Sequence, residues 1–432
     1  MPSFRVLNKE EWSWMLYDVA NSAFVLVVVT ALMPLYFKDV AAAQLPAATS
    51  TAYWAYANGA SSLVLALLAP FLGALADYPG RKKRYFTAFL VLGLTATLGL
   101  SLPGPGQWQL SLLCFLCARL GWAGANIFYD SFLVDVTSPD RVDSLSARGY
   151  AWGYIGSVIP FLAILALLTG SGDLSQGLPV RATQTAFIVV ALWWALFSLP
   201  ALPYLHQRHA VAASSTPLRD SIRRVSTMLG QARQHPKVFL FLLAYFFYID
   251  GVDTIISMAS AYGRDLGFSS ASLIVVLLVI QVVAFPCTLA YARLSRTTST
   301  LRLLLTGIGV YVCITLLAFF LPAINHMGMK TAVFWLIALL VASSMGGIQA
   351  LSRSYYSQLI PKEQSAQFFG IYNIFGKFAA ILGPFLLGLT GQLSGHSRWG
   401  VLSLLPLFLL GAYFLIKAHR DTGQPQTTAS TI

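Results

Sequence analysis

The sequence predicts an all-α polytopic membrane protein with twelve transmembrane helices in two pseudo-symmetric six-helix bundles. Three observations lead there. The chain has 432 residues, of which 57% are hydrophobic and only 10% charged, whereas soluble domains carry about 25% charged residues. Twelve stretches approach or exceed the roughly 20 apolar residues that a membrane span requires. The cations, finally, are distributed unevenly among the segments between those stretches.

The spans are expected near 13–37, 52–76, 85–102, 108–136, 145–169, 183–203, 237–261, 268–292, 301–322, 330–357, 365–391 and 398–418. The first begins after Lys9-Glu-Glu11, is too long for a signal peptide and has no small-residue cleavage site behind it. With the N-terminus inside, 21 of the 28 Lys and Arg fall on the inner side. Five fall outside (Lys38, Arg181, Arg264, Lys330 and Arg398), and two, Arg119 and Lys377, lie within spans. That asymmetry puts both termini in the cytoplasm. The net charge of +12 therefore reads as topology and not as a nucleic-acid footprint.

The chain divides into residues 1–203, a polar linker 204–236, residues 237–418 and a tail 419–432. Within the linker, Thr216-Pro217 reads as an N-cap and first helical position. Leu218, Ile222, Val225 and Leu229 then share one face, with Arg219, Arg223 and Arg224 around it, as in an amphipathic helix on the inner leaflet. The halves resemble each other, as in transporters built from repeats. The first span carries Tyr17, Asp18, Asn21 and Ser22, and the seventh Tyr248, Asp250, Asp253 and Thr254. Spans 4 and 10 pair Asn126, Tyr129 and Asp130 with Gln349, Arg353 and Tyr356, while spans 5 and 11 carry Gly153, Gly156, Pro160 and Gly376, Gly383, Pro384.

Enzymatic signals fail. Gly370-x5-Gly376-Lys377-Phe378 has one residue too many for a phosphate loop and no Ser/Thr after the lysine. All six His lie in loops or tails, and no nucleophile elbow is present. Cys114 and Cys117 are i, i+3 without further ligands nearby, so structural thiols are expected there and at Cys287 and Cys313. No cofactor and no metal are expected.

The loop after span 2, Gly73-Ala-Leu-Ala-Asp77-Tyr-Pro-Gly80-Arg81-Lys-Lys-Arg84, resembles the signature loop between helices 2 and 3 of the Major Facilitator Superfamily. Tyr78 departs from the Arg or Lys usual there. The resemblance implies the superfamily fold, a central cavity lined by helices 1, 4, 7 and 10, and a gate in which Gly73, Asp77, Gly80 and Arg81 take part, with Asp77 docking near Glu363–Gln367 of span 11. Trp14-Met-Leu-Tyr17-Asp18-Val-Ala-Asn21-Ser22-Ala-Phe24, followed by Pro34-x-Tyr36-Phe37, resembles more closely the opening of the superfamily's vacuole-effluxer branch. So do Ser146-Ala-Arg148-Gly149-Tyr-Ala-Trp152-Gly153 and Gly370-Ile-Tyr-Asn-Ile-Phe-Gly376-Lys377. Val19 stands where that branch has Trp. Fungal members of the branch export vacuolar amino acids. A bacterial inner-membrane member is therefore expected, and no enzyme.

Ionisable side chains inside a bilayer are costly and mark a cavity or a partner. Asp18, Asn21, Arg119, Asn126, Gln349 and Lys377 are the candidate substrate ligands, cations for a carboxylate and acceptors for an ammonium. Arg119 is similar to the fourth-span Arg used in proton transfer elsewhere in the superfamily, with Gly124 one residue out of phase. Asp250 and Asp253, together on one face, are the candidates for proton coupling. Asp130 and Arg353 read either as a gate ion pair or as substrate ligands. The expected partners are a small polar solute (an amino acid or similar zwitterion), the lipid bilayer and protons, with the protein a monomer. Two alternatives stand beside this: export of a larger organic molecule such as a siderophore or drug, and a non-transporting receptor or assembly factor on the same fold. Pro160 follows Ile159 and not Gly, which disfavours a drug–proton antiporter.

Overall fold

The computed structural model describes residues 7–172, 178–230, 236–266, 268, 270–394 and 397–420. Among them there is no strand. A helix lies in each interval where the sequence predicts a span. In chain order the long helices are α1 (Lys9–Ala23), α2 (Ala47–Ala76), α3 (Arg81–Gly99), α4 (Trp108–Ser131), α5 (Val142–Ser171), α6 (Val180–Ser198), α7 (Pro217–Gly230), α8 (Pro236–Asp265), α9 (Ser270–Leu294), α10 (Thr300–Phe320), α11 (Met327–Leu359), α12 (Ser365–Ser394) and α13 (Leu405–Arg420). Nine helical segments among the described residues are long and apolar enough to cross a membrane. The helix α3, which opens on four cations, is not one of them.

Two departures from the predicted spans have local causes. The first span runs on from α1 as π-helix over Phe24–Leu32 and Phe37–Ala41, flanking the short α-helical turn Met33–Tyr36. Pro34 has no N–H for the carbonyl four residues back, and the Met33 N–H reaches Val28 O, five back. The predicted span 398–418 is interrupted. One turn, Ser397–Leu402, ends before α13 restarts at Leu405, and Pro406 then sits in the first turn, where its missing N–H costs nothing.

Packing falls into two large apolar clusters and one small one. One large cluster joins buried residues from Trp14 to Leu205, the other residues from Val238 to Ala418. Among the described residues, Ala366 of α12 is the one buried residue from beyond the linker that joins the first cluster. The halves meet where α2 packs on α12 and where α5 packs on α9 and α11. Small residues permit the first contact. A Cβ on Gly73 would fall 2.3 Å from the Ala366 carbonyl oxygen, and one on Gly370 would fall 2.6 Å from that of Ala69.

The linker helix α7 begins at Pro217 as predicted. Ser221 and Val225 face inward while Leu218 and Ile222 are exposed, and the side chain of Leu229 lies outside the described residues. Arg224 Nη2 donates to Ala74 O at 2.7 Å, which ties α7 to the last turn of α2.

Candidate functional site

A dense polar cluster between the halves is built around Arg353, on α11. Its side chain leaves its own half and is buried in the other. Nη2 lies 3.2 Å from Asp18 Oδ2 of α1, and Nη1 lies 3.1 Å from Asp130 Oδ1 of α4. Nε donates to Ser146 Oγ of α5 at 3.0 Å, and Nη2 also donates to Ser146 O at 3.1 Å. The guanidinium carbon sits 4.4 Å from the Tyr150 ring centre, 4.6 Å from Trp14 and 5.6 Å from Tyr129. Such a cation, paired, hydrogen-bonded and stacked on aromatic faces, is stable out of water, and losing one partner would strand a buried charge.

The pocket follows from helix periodicity. Trp14 and Asp18 are four apart on α1, and Ser146 and Tyr150 four apart on α5, so each pair shares a face. Gly149 makes room between them, since a Cβ there would fall 2.2 Å from Asp18 Oδ2. Trp14 stacks on Tyr129 at 4.7 Å and donates Nε1–H to its carbonyl at 3.0 Å.

A second cluster joins the α2–α3 loop to α12. Asp77 is fully buried. Its Oδ1 accepts from the Ala366 N–H at 2.8 Å and its Oδ2 from the Gln367 N–H at 3.0 Å, in the first turn of α12. Those N–H groups have no partner within the helix, so a carboxylate there satisfies them and meets the positive end of the dipole. Burial pushes the Asp77 carboxyl up to about 7, against the pull of Lys82, the two N–H groups and Arg224. Gly80, at φ 70°, takes the left-handed turn into α3. Lys82 is fully buried and donates from Nζ to Asp135 Oδ2 at 2.7 Å and, across the halves, to Ser365 Oγ at 2.8 Å.

A third cluster lies at the rim. Asp143 of α5 accepts from Thr300 Oγ1 at 2.5 Å and from Gln358 Nε2 at 3.1 Å. Ser146 Oγ donates to Ala350 O at 2.7 Å, and Ala147, Ala292 and Ala350 pack together beside it.

The sequence candidates divide accordingly. Asp18, Asp130 and Arg353 come together, so Asp18, expected among the substrate ligands, is here part of an ion-pair cluster. Asp77 lies on the predicted stretch of α12. Arg81, expected at the gate, stacks on Tyr78 of its own loop at 5.6 Å, and the next residue, Lys82, crosses in its place. Deeper in, Asn21 Nδ2 donates to Tyr17 O and its Oδ1 accepts from Trp122 Nε1, whereas Asn126 Oδ1 is buried without a hydrogen-bond partner. Gln349 accepts from the Tyr154 hydroxyl at 2.8 Å. Asp250 is fully buried and its Oδ1 accepts from the Gly383 N–H at 2.9 Å, while Oδ2 has no hydrogen-bond partner. Asp253, one turn on, and Arg119 of α4 are half-buried. The side chain of Lys377 lies outside the described residues. In the same half, a cavity of about 110 Å³ is lined mainly by apolar side chains, among them Ile280, Phe334, Val341 and Met345.

Sequence reasoning passed over Lys82, Asp135, Ser146 and Glu11. Lys82 and Ser146 lay within quoted motifs without being singled out, and Asn8-x-x-Glu11 has capping-box spacing. Both reciprocal bonds form, and Glu11 further binds Thr137 and Arg141.

The family model "Vacuole effluxer Atg22 like" matches residues 7–428. The chain belongs to the Atg22-like vacuole effluxer family. A relative described as the uncharacterized MFS-type transporter YxiO of Bacillus subtilis (strain 168) is 44% identical over 96% of each chain. Autophagy-related protein 22 of Vanderwaltozyma polyspora is 26% identical over 76% of this chain and 70% of its own. The crystal structure of the human organic anion transporter MFSD10 (TETRAN) superposes with a TM-score of 0.68 at 17% identity, covering 94% of this chain and 97% of that one. This Atg22-like protein is thus a multi-pass membrane transporter of the MFS type, with a small-molecule substrate, and not an enzyme.

Proposed function

We propose that this transporter moves amino acids or similar small zwitterions across the bacterial inner membrane by alternating access, as a monomer coupled to protons. The end that carries Arg81–Arg84 faces the cytoplasm, with both termini inside and twelve spans grouped as 1–203 and 237–418 around the linker 204–236. One observation supports this most. Arg353 of the second half is seated between Asp18 and Asp130 of the first, an ion-pair contact that has to part before the cytoplasmic end can open. Family membership favours amino acids, because the fungal relatives are vacuole effluxers. The apolar cavity of about 110 Å³ in the second half suits an apolar side chain. Arg119 and Lys377 are the cations assigned to the substrate carboxylate, and Asn21, Asn126 and Gln349 are its hydrogen-bond partners. Asp250, with one carboxylate oxygen unpartnered, and Asp253 are the proton carriers.

Flux into proteoliposomes, against a panel of the twenty amino acids with and without a pH gradient, tests the reading. Gradient-driven accumulation of neutral amino acids is expected, lost in Asp250→Asn and Asp253→Asn while exchange persists. If no amino acid is carried or competes, the substrate assignment fails. If both variants accumulate fully, these carboxylates are not the coupling groups.

A further inference from the structure

Among the described residues, the groups that hold the Arg353 guanidinium all come from the first half, while Ala350 O of the second half accepts from Ser146 Oγ. The walls of this pocket are Trp14, Tyr129 and Tyr150, its acceptors Asp18, Asp130 and both oxygens of Ser146. Two carboxylates, three π-faces and a hydroxyl around one planar cation form a receptor with a tethered ligand in place. Arg353 lies six residues before the end of α11 at Leu359, which is about 9 Å of helix. The pocket is therefore reached from the basic end as soon as the halves part there. At that moment it loses its only described occupant and keeps two carboxylates facing the opening, a charge that demands a counter-cation.

We infer that this pocket, vacated by Arg353 when the basic end opens, binds the cationic head of the substrate, a guanidinium or primary ammonium group. The inference rests on the transport reading above and adds a substrate class to it: solutes with an exposed cationic group, amino acids among them. Arg353 and the solute are then competitors for one seat. Closing the basic end returns the tethered guanidinium and expels the solute's head group from the pocket. The next acceptor inward is on the same face of α4, where Asn126 stands one turn from Asp130 with its Oδ1 unpartnered. Displacement by Arg353 thus couples closure to inward movement of the solute, and a solute bound in the pocket holds the end open.

The experiment is thermal unfolding of purified Arg353→Ala in methylguanidinium chloride or ethylammonium chloride, against potassium chloride at equal ionic strength. Both organic cations should raise its melting temperature by about 3 °C near saturation, and adding Asp130→Asn should remove the shift. Lys82→Met, which loosens the same end without touching the pocket, should also be stabilised, so the test stands even if Arg353→Ala cannot be purified. Wild-type protein, with the pocket filled, should respond less than either. No shift in either variant, or a shift that survives Asp130→Asn, overturns the inference. The readout needs no flux. Stabilisation by cations together with failure of every amino acid in proteoliposomes would keep the pocket and reject the amino-acid substrate.

Discussion

Where α2 and its loop meet α12, the contact is dry: Asp77 and Lys82 are fully buried, and Gly73 and Ala366 touch backbone to backbone. Where α5 meets α9 and α11 the rim is wetter, with Asp143 half-buried and Gln358 exposed, although Gln358 and Thr300, at the start of α10, each bind Asp143 as closely. The difference lies in what water can replace. An exposed hydrogen bond that breaks is remade with solvent, so its net contribution is small. A buried ion that loses its partner keeps its desolvation penalty. Buried ions, in the dry seam and at Arg353, should hence decide whether the end is closed, and the wet rim should only guide alignment.

The comparison is broken most directly at the charges. Lys82→Met leaves Asp135 buried with only the N–H groups of Arg208 and His209 and the His209 ring, and should destabilise the folded protein by about 3 kcal/mol. Asp143→Asn at the rim should cost under about 1 kcal/mol. Denaturation of the two purified variants measures both, and equal losses would erase the distinction between the seams.

Packing sharpens the comparison with a smaller effect. Gly73→Ala drives a methyl to 2.3 Å from a backbone oxygen of the other half, which cannot rotate away. Gly156→Ala meets, at 2.6 Å, a side-chain methyl of Val19 in its own half. The first should cost about 1–3 kcal/mol of closure and raise crosslinking access to the basic end. The second should leave that access unchanged.

Between pH 6 and 8 a smaller effect is expected, about 1.4 kcal/mol. The Asp77 carboxyl is raised to about 7 by burial when the seam is closed, and should return to about 3.9 when solvent reaches it. The closed form thus binds the proton more tightly. Its advantage is complete below about pH 4 and is lost as pH rises through 7. Crosslinking across the α2–α12 seam should fall between pH 6 and 8, and Asp77→Ala, which also orphans two N–H groups, should remove the pH dependence.

How legible all this was in the sequence depended on which physical constraint each residue obeys. Gly73, Asp77 and Gly80 stood out because a close approach, a helix N-terminus and a left-handed turn each demand a residue type at a fixed spacing. Asp130 and Arg353 were visible as ionisable groups in apolar helices, yet nothing local showed that Asp18 completes their cluster, since it lies 335 residues from Arg353. Lys82 was hidden among four adjacent cations of equal charge. Only the helical phase of α3 selects it over Arg81, and that phase is fixed by the glycine turn before it. Asp135 acts through bonds to distant segments and carries no local signature, and the motif that contains Ser146 does not show that its side chain meets Arg353. The interrupted last helix could have been anticipated from Pro406. The π-wound first span depends on how its neighbours pack as much as on Pro34.

The central claim is that Arg353, seated in the opposite half, holds the basic end shut. Spin labels at Ser138 and Glu363, exposed positions on either side of that end, in a protein whose four cysteines are replaced, report it by pulsed dipolar distance measurement. The account predicts one dominant short distance in the parent protein. In Arg353→Ala it predicts a major population longer by about 10 Å, the scale of a helix diameter, because Asp18 and Asp130 lose the charge that compensates them. An unchanged distance distribution in Arg353→Ala would contradict it.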